Sequence, residues 1–264
     1  MQSKRFESMT ELEHHIEALE VELLKHKKND YAIIPKLFFR GQSNSTWELT
    51  STLERQTSQV FSVRDFNNKL CATVPAASSF TSQKWEIKHN PDLSEDINTS
   101  SLPNYEYMVH ARHNGFPTPI IDWTKSLYIA LFFAYHGAEV DKDVAVFAYK
   151  ETLNGWKTSF IGSPTISSTG PYIKTHRRHF MQQAQYTFAC KKDENQQWVY
   201  CSHSEVFDQK SSEQDLLFKF ILPGNIRKSV LSKLDSMNIN SYTLYGSEDS
   251  LFDMLAFREL LKDL

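Results

Sequence analysis

The chain has 264 residues, of which 40% are hydrophobic and 23% charged, and its formal net charge is −3 at pH 7. These values are ordinary for a globular protein of one large domain or two small ones, and the charge gives no general argument for a nucleic-acid partner. Three widely spaced cysteines, Cys71, Cys190 and Cys201, form no CxxC pair and no Cys/His metal spacing, so they support neither a disulfide framework nor a zinc site.

The amino-terminal residues are polar and lack the apolar stretch of a signal peptide. The longest apolar run, residues 128–134, is too short to span a bilayer. We therefore expect a soluble, cytoplasmic protein with no membrane partner.

The first third of the chain is predicted to hold two helices and one short buried strand. Leucine and isoleucine recur at helical intervals over residues 9–27, where Thr10 and Glu13 have capping-box spacing. The other elements predicted here are a turn at 28–35, a strand at 36–40, a polar loop at 41–52, a helix at 62–72 capped by Ser62, and a long surface insertion at 75–102.

The remainder mixes helices and strands without regular βαβ alternation. Helices are predicted at 103–113, 125–137, 224–237 and 250–261, a loop at 153–175, and strands at 143–149, 186–189, 198–203, 217–222 and 242–244. This pattern favours an α+β fold: a single domain whose mixed, mostly antiparallel sheet is flanked by helices. The predicted organisation is an N-terminal helix over 1–28 followed by one domain over 29–264.

Arg40 follows a short apolar run that is typical of a buried strand. Because a guanidinium keeps its charge, burying it requires an anionic partner, and its forked donors suit phosphate. Gly41 would let a ligand approach the backbone closely. A purely structural ion pair between Arg40 and Asp122 is the alternative.

A second polar segment precedes an almost wholly apolar helix. Pro117 and Pro119 fix the backbone around Thr118. Thr124 is placed to cap the helix predicted at 125–137, whose amino-terminal dipole would favour an anion.

Asp122 and Trp123 belong to the same segment. The indole of Trp123 could stack on a flat heteroaromatic ring, and the carboxylate of Asp122 could orient a ribose hydroxyl or accept a proton. Together with Arg40 they predict a pocket for an anion or nucleotide. The alternative is an ordinary loop in which Asp122 pairs with Arg40 and Trp123 belongs to the core.

No metal site is predicted from the sequence. His110 and His113 share a helical face, but no third ligand has plausible spacing. The basic stretch at 174–179 could contact nucleic-acid phosphates or form a solvated charged face. The chain contains no GxGxxG, GxxxxGK[ST], GxSxG or HExxH motif, which argues against a dinucleotide dehydrogenase, a P-loop ATPase, an α/β-hydrolase and a zinc protease.

These residues resemble the FRG domain family, which is named for its Phe-Arg-Gly motif. The resemblance covers roughly residues 30–260, so the domain at 29–264 is expected to be an FRG domain with the insertion 75–102 inside it. The matching positions are Phe39, Arg40, Gly41, Gln42, Trp47, Leu49, His113, Gly115, Pro117, Thr118, Asp122, Trp123, Thr124, Ala130, Phe133 and Ala134, followed more loosely by Arg178, Gln185, Phe188 and residues 242–249.

A remoter resemblance is to ADP-ribosyltransferases of the Arg-Ser-Glu type, which use NAD. It rests on a strand ending in Arg-Gly, a threonine-bearing segment before a helix rich in Ala and Phe, and a polar residue on a later strand. It implies Arg40, Asp122 and Gln185 as catalytic residues, with Asp122 or Glu205 supplying the negative charge that glutamine lacks. NAD would be bound by Arg40, Gly41, Gln42, His113, Thr118, Trp123 and Thr124, with Thr118 or Thr124 shaping the nicotinamide ribose site.

The resemblance implies an NAD-dependent ADP-ribosyltransferase-like toxin that modifies a cytoplasmic macromolecule, either nucleic acid or protein, in phage defence or a toxin–antitoxin system. An antitoxin or regulatory protein is then an expected partner. The alternative is a non-enzymatic FRG domain that senses a nucleotide or binds a partner protein. A nuclease is a third reading, although the sequence shows no carboxylate cluster to hold magnesium.

Overall fold

The computed structural model describes residues 1–25, 37–89, 91, 93, 102–150, 162–169, 178–207 and 215–261. Its strands are β1 (Gln2–Arg5), β2 (Leu37–Gln42), β3 (Ile121–Thr124), β4 (Val144–Lys150), β5 (Thr165–Thr169), β6 (Ala184–Lys192), β7 (Trp198–Tyr200) and β8 (Leu216–Leu222). Its helices are α1 (Met9–Lys25), α2 (Thr52–Gln56), α3 (Val63–Ala72), α4 (Val74–Thr81), α5 (Tyr105–His113), α6 (Leu127–His136), α7 (Arg178–Met181), α8 (His203–Phe207), α9 (Arg227–Ser236), α10 (Ser241–Tyr245) and α11 (Glu248–Ala256). A short 3-10 turn (Gly224–Ile226) precedes α9, and a π-helical turn (Phe257–Leu261) follows α11.

One mixed sheet runs through the described residues in the order β1-β8-β4-β2-β3-β6-β5, with β7 also paired to β6. Strands β1 and β8 are parallel, and the other pairs are antiparallel. The predicted α+β fold with a mixed, mostly antiparallel sheet is therefore confirmed. Because β1 pairs with β8, the residues before α1 belong to the same sheet as the later strands.

Apolar clusters cover both faces of this sheet. On one face, α1, α6 and α9 pack against β2, β4 and β8. On the other face, the rings of Trp123 and Tyr149 lie in a cluster that includes Val206 of α8. A third cluster joins α3 and α5 to β6. Successive residues of a strand point to opposite faces, so Asp122 on β3 faces α5 while Trp123 faces away from it.

Helix α6 and strand β2 approach each other closely in the core. The helix is apolar almost throughout, which suits an element buried on most sides. A Cβ atom added to Gly41 of β2 would lie 1.9 Å from the carbonyl oxygen of Ala130 and 2.5 Å from the nitrogen of Ala134. Glycine is therefore required at this position so that the helix backbone can lie against the strand.

The Asp-Trp-Thr segment is not the loop expected before a helix. It forms strand β3, which pairs with β6 over its whole length, up to the pair Thr124–Ala184. Helix α6 begins at Leu127, and the side chain of Ser126 accepts the capping hydrogen bond from the N–H of Ile129. The prediction that Thr124 caps this helix is wrong, because sheet pairing keeps Thr124 in the strand and its Oγ1 instead accepts from the N–H of Ser126.

The strand predicted at 242–244 is also wrong, because these residues lie in helix α10. Asn240 is the N-cap, and its side chain accepts a hydrogen bond from the N–H of Thr243 while the hydroxyl of Thr243 accepts from the N–H of Asn240. This capping box outweighs the β-propensity of the tyrosine and threonine in the segment.

Other differences concern segments predicted to lack regular structure. Helix α4 lies in the insertion predicted at 75–102, residues 41–42 extend strand β2, and β5 lies in the loop predicted at 153–175. The turn predicted at 28–35 lies outside the described residues. Among the helices of the described ranges, none combines the length and apolarity needed to cross a bilayer.

Candidate functional site

Strands β2 and β3 meet at one residue pair and then separate. Phe39 pairs with Thr124, but the continuation of this ladder, which would place Gly41 opposite Asp122, is not formed. Instead, Nη1 of Arg40 donates a hydrogen bond to the carbonyl oxygen of Asp122 at 2.8 Å. The guanidinium of Arg40 therefore lies in the gap between two neighbouring strands, at the base of a cleft.

The cleft has a volume of about 470 Å³, which lies within the range of small-molecule sites. Its described wall includes Arg40, Arg112 and Arg178 against a single carboxylate, that of Asp122. Arg40 and Arg112 carry one more positive charge than Asp122 balances, which favours an anionic ligand. In the described ranges, no three His, Cys, Asp or Glu side chains are grouped so that they could hold a metal ion.

The carboxylate of Asp122 is held by Arg112 from helix α5. Nη2 and Nε of Arg112 lie 2.6 and 3.1 Å from Oδ2 of Asp122, whereas Nη1 of Arg40 lies 3.8 Å from the same oxygen. Burial alone would raise the pKa of Asp122, but the charge and hydrogen bonds of Arg112, with a smaller contribution from Arg40, lower it below its usual value. Asp122 is therefore ionised at neutral pH and paired mainly with Arg112.

Arg40 retains hydrogen-bonding capacity that the described residues do not use. Its side chain is 15% exposed, and its Nε is buried without a hydrogen-bond partner among the described residues. Burial lowers the pKa of Arg40 to about 10, against a smaller opposing effect of Asp122, so the guanidinium remains charged at neutral pH. A charged fork of donors at the base of a cleft is suited to phosphate.

Thr52 on α2 holds Arg112 in place. Its Oγ1 accepts hydrogen bonds from Nη1 of Arg112 at 2.5 Å and from the N–H of Thr118 at 3.0 Å, and it donates to the carbonyl oxygen of Thr118 at 3.3 Å. One hydroxyl thus uses its donor and both acceptor positions. This series of bonds, from Thr118 through Thr52 to Arg112, fixes the orientation of Asp122.

Tyr186 on β6 joins two histidines at the side of the cleft. Its hydroxyl lies 2.7 Å from Nε2 of His113 and 3.1 Å from Nδ1 of His179, whose ring stacks on Tyr186 with centroids 5.5 Å apart. Burial lowers the pKa of His179, with smaller effects of His113 and Lys125, and burial raises the pKa of Tyr186. The phenol and the imidazole of His179 are therefore neutral at pH 7, and His179 supports Tyr186 from behind the cleft lining.

Arg178 and Gln182 connect helix α7 to the end of α10. Nε of Arg178 donates to the carbonyl oxygen of Tyr245 at 3.0 Å, and Nε2 of Gln182 donates to the carbonyl oxygen of Leu244 at 3.1 Å. The guanidinium of Arg178 also lies over the ring of Tyr245, 5.7 Å from its centroid. The two helices together place a cation and an aromatic ring in the cleft wall.

The part of this arrangement built by β2, α5, β3 and α6 corresponds to a known family. Residues 35–143 match the FRG domain. The resemblance inferred from the Phe-Arg-Gly motif is therefore confirmed. The FRG match includes Arg40, Arg112 and Asp122, whereas Tyr186 and the residues of α7 and α10 lie beyond its end. No curated protein and no solved structure matches the chain.

Most predicted site residues within the FRG match line the cleft. They are Arg40, Gly41, His113, Asp122, Trp123 and Thr124. Arg40 and Asp122 do approach each other, but the principal partner of Asp122 is Arg112. Trp123 borders the cleft, yet its indole is buried in the core, where Nε1 donates to Oγ1 of Thr187 at 2.8 Å. The indole therefore faces away from a ligand in the cleft.

The remaining two predicted residues of the FRG match are absent from the described cleft lining. Nε2 of Gln42 donates to the carbonyl oxygen of Glu48 at 3.1 Å, and the side chain is buried. Thr118 is fully buried, and it acts through its backbone, which is bonded to Thr52. Both residues therefore shape the loops around the site without facing the cleft.

The late polar residue of the predicted site, Gln185, lies on the opposite face of the sheet. Its neighbour Tyr186 lines the cleft, and the alternation of a strand directs Gln185 away, where Nε2 donates to the carbonyl oxygen of Thr169 at 2.8 Å. Glu205, the alternative source of negative charge, accepts a hydrogen bond from Nζ of Lys191 at 2.6 Å and lines a different depression. Asp122 is thus the one carboxylate among the described residues of the cleft wall.

Sequence patterns do not single out Arg112 or Tyr186. Arg112 lies in the last turn of α5, where basic residues are common because they complement the helix dipole. Tyr186 lies in an apolar strand, where a tyrosine indicates core packing. The one available signal for Arg112 is its place directly before His113, one of the positions that carry the resemblance to the FRG family.

Proposed function

We propose that the cleft binds the diphosphate of a dinucleotide of the NAD class and that Arg40 is the residue that grips it. The observation that carries the proposal is the state of Arg40, which is charged, lies between two separated strands and has a buried Nε without a partner among the described residues. A buried charged donor left without a partner costs free energy, so an anion is expected to complete its hydrogen bonds.

The electrostatics of the cleft support a negatively charged ligand. Arg40, Arg112 and Arg178 line it, and Asp122 is the one carboxylate in the described wall. Because Asp122 is engaged mainly by Arg112, it cancels little of the charge of Arg40. A diphosphate meets this requirement better than a neutral metabolite does.

Aromatic side chains supply surfaces for the two rings of a dinucleotide. Tyr245 and Phe133 line the cleft and are partly exposed, and their rings meet edge to face with centroids 6.2 Å apart. Aromatic faces stack on heteroaromatic bases without requiring a particular base. In this role they replace Trp123, whose indole is in the core.

The reaction that we propose for the bound dinucleotide is ADP-ribosyl transfer to a macromolecule. The bond between ribose and nicotinamide breaks, nicotinamide leaves with the bonding electrons, and a nucleophile of the acceptor bonds to the ribose carbon and loses its proton. Asp122 supports this reading because it is ionised and its side chain is 33% exposed beside the cleft. A carboxylate there would stabilise the positive charge that develops on the ribose.

A non-enzymatic nucleotide-sensing domain is the second candidate, and one observation favours it. The ion pair with Arg112 at 2.6 Å weakens the field that Asp122 exerts on a developing cation. In that case Arg40 binds the dinucleotide and no bond is broken. The two candidates share one site and differ in the fate of the nicotinamide bond.

Calorimetric titration with NAD tests the shared site. Arg40→Met removes the charged fork while keeping much of the side-chain volume, so we expect a loss of affinity of at least about 30-fold. The exposed Arg64 on α3 supplies a matched control, because Arg64→Met leaves the cleft intact. Wild-type affinity for NAD in a folded Arg40→Met protein would overturn the assignment.

Incubation with labelled NAD and cell lysate separates the two candidates. Release of nicotinamide with label on protein or nucleic acid, both lost in a folded Asp122→Asn variant, would support the transferase. Binding of NAD without release would support the sensing domain. A toxin role in phage defence or a toxin–antitoxin system further requires that expression arrests growth and that Asp122→Asn relieves the arrest.

A further inference from the structure

We infer that the rim of the cleft, consisting of Arg55, Lys125 and Phe180, binds single-stranded nucleic acid. The rim combines two exposed cations with an exposed aromatic ring. This surface goes beyond the dinucleotide site and does not require it. If both exist, the nucleic acid would lie where it could meet a bound dinucleotide.

Arg55 adds an exposed positive charge next to the cleft. It is exposed, and it lies three residues after Thr52 on α2, on the helix face that contacts Arg112. Burial and then the nearby charge of Arg112 lower its pKa, which places the two guanidinium groups within each other's field. Its neighbour Glu54 caps its own helix, accepting from the N–H of Ser51, and so is engaged within α2.

Lys125 adds a second exposed positive charge next to the cleft. It directly follows Thr124 of the cleft wall, and its side chain is exposed. Its N–H donates to the carbonyl oxygen of Gln183 at 3.2 Å, which fixes Lys125 beside the end of helix α7. The buried imidazole of His179 in that helix lies within the field of Lys125.

Phe180 presents an exposed aromatic ring near Lys125, since the N–H of Gln183, whose carbonyl oxygen accepts from Lys125, donates to the carbonyl oxygen of Phe180 at 3.1 Å. It is 67% exposed, and it lies on α7 between Arg178 and Gln182, which both line the cleft. Its inner edge meets the ring of His179, with centroids 5.8 Å apart in a T-shaped arrangement, so the ring is supported from below. A single exposed apolar residue needs no explanation by itself, but this one stands at the mouth of a basic cleft.

Cations interspersed with an exposed ring match the chemistry of a single strand. Phosphates meet the lysine and arginine, and an unpaired base can stack on the phenyl ring, whereas the bases of a duplex keep their faces covered. The chain as a whole carries a net charge of −3, so general electrostatics would repel a polyanion. Binding of a single strand therefore depends on this local patch.

Fluorescence anisotropy with the full chain and a labelled oligonucleotide of about 12 nucleotides measures the binding directly. At about 50 mM salt we expect binding of single strands, weaker binding of a duplex of the same sequence, and a steep loss at about 200 mM salt. Arg55→Glu and Lys125→Glu should each weaken binding roughly 5- to 10-fold. The matched charge reversals Arg64→Glu and Lys228→Glu, on exposed residues of α3 and α9, should change it less than about 2-fold.

Phe180→Ala tests the stacking contribution. We expect a roughly 10-fold loss of affinity for single strands and little change for the duplex. Phe80, which is 92% exposed on α4 and does not line the cleft, supplies the matched control Phe80→Ala. No binding at low salt, equal affinity for the duplex, or equal losses in the rim and control variants would each overturn the inference.

Calorimetry with NAD on the same rim variants keeps the two proposals distinguishable. Phe180→Ala should retain wild-type affinity for NAD, and the two charge reversals should weaken NAD binding far less than Arg40→Met does, because none of the three residues lines the cleft. If the oligonucleotide fails to bind while NAD binds, only the rim inference falls.

Discussion

Nη2 of Arg112 lies 2.6 Å from Oδ2 of Asp122, and Nε of the same guanidinium lies 3.1 Å from that oxygen. This two-point contact makes Arg112 the counterion of Asp122. Arg40, at 3.8 Å from the carboxylate, is instead bonded to the backbone of the same residue. Arg112 is therefore a structural and positioning residue, whereas Arg40 remains available for a ligand.

Arg112→Leu should lower the free energy of unfolding by about 2 kcal/mol at pH 7, because it leaves the carboxylate of Asp122 without its main partner. This loss is smaller than that expected for a fully buried pair, because Asp122 is partly exposed. Asp122 has a lowered pKa in the folded state, so its pair stabilises the fold above the unfolded pKa of about 3.9 and this contribution is lost as the pH falls through the folded-state pKa. Urea unfolding should therefore show a smaller difference in the free energy of unfolding between the variant and the wild type at acid pH than at pH 7.

The double variant Arg112→Leu/Asp122→Asn provides the control for this reasoning. Removing both charges should recover part of the stability lost in the single variant, because no unpaired carboxylate remains. A deficit in Arg112→Leu that stays constant with pH, or that the second substitution does not reduce, would contradict the assignment of Arg112 as the counterion.

Gly41→Ala should destabilise the protein by about 3 kcal/mol or more, because the new methyl group would overlap backbone atoms of Ala130 and Ala134 that cannot move independently of α6. Gly137→Ala is the matched control, since its nearest neighbour would be Oγ of Ser43 at 3.8 Å, an ordinary contact. Thermal unfolding of the two variants checks this. Equal melting temperatures would show that the close packing of α6 on β2 does not explain the glycine of the FRG motif.

Thr52→Val should cost about 1–3 kcal/mol of stability, because the isosteric methyl group cannot accept from Arg112 and Thr118 or donate to Thr118. It should also weaken whatever function depends on the orientation of Asp122. Thr52→Ser keeps the hydroxyl and should lie within about 0.5 kcal/mol of the wild type. Denaturant unfolding distinguishes the two, and a valine variant as stable as the serine variant would remove Thr52 from the network.

The fold was predictable where local pattern and final environment agree. Buried elements are indicated by the apolar runs of β2, β4 and β8 and by the almost wholly apolar α6, whatever their partners are. Ser62 caps α3 as predicted, because the bond from its side chain to the N–H of Asp65 is local.

The predictions failed where distant partners decide the structure. The prolines on either side of Thr118 suggested a loop up to the helix, but pairing with β6 makes Asp122 and its neighbours a strand. The same non-local pairing directs Gln185 away from the cleft. Arg112 could not be assigned to Asp122 from the sequence, since the contact depends on how α5 packs beside β3. Charged residues at a helix end carry no local sign of such a partner.

The effect of pH on stability can be tested at His203, which lies with Thr187 on the face of the sheet that carries the indole of Trp123. His203 is 1% exposed, its Nε2 lies 2.9 Å from Oγ1 of Thr187, and burial, followed by the charge of Arg40, lowers its pKa to about 3. Since an unfolded histidine titrates near 6.5, the neutral folded form stabilises the protein fully above that pH, and this contribution is lost as the pH falls towards 3.

His203→Gln removes this titration while keeping a polar side chain beside Thr187. The variant should be less stable than the wild type at pH 7, and the gap should narrow by about 1–2 kcal/mol between pH 7 and pH 5. The exposed His14 on α1 supplies the control variant His14→Gln. Urea unfolding across this pH range measures the difference in the free energy of unfolding between His203→Gln and the wild type. A difference that does not change with pH would mean that the imidazole gains a proton in the folded state as readily as in the unfolded one.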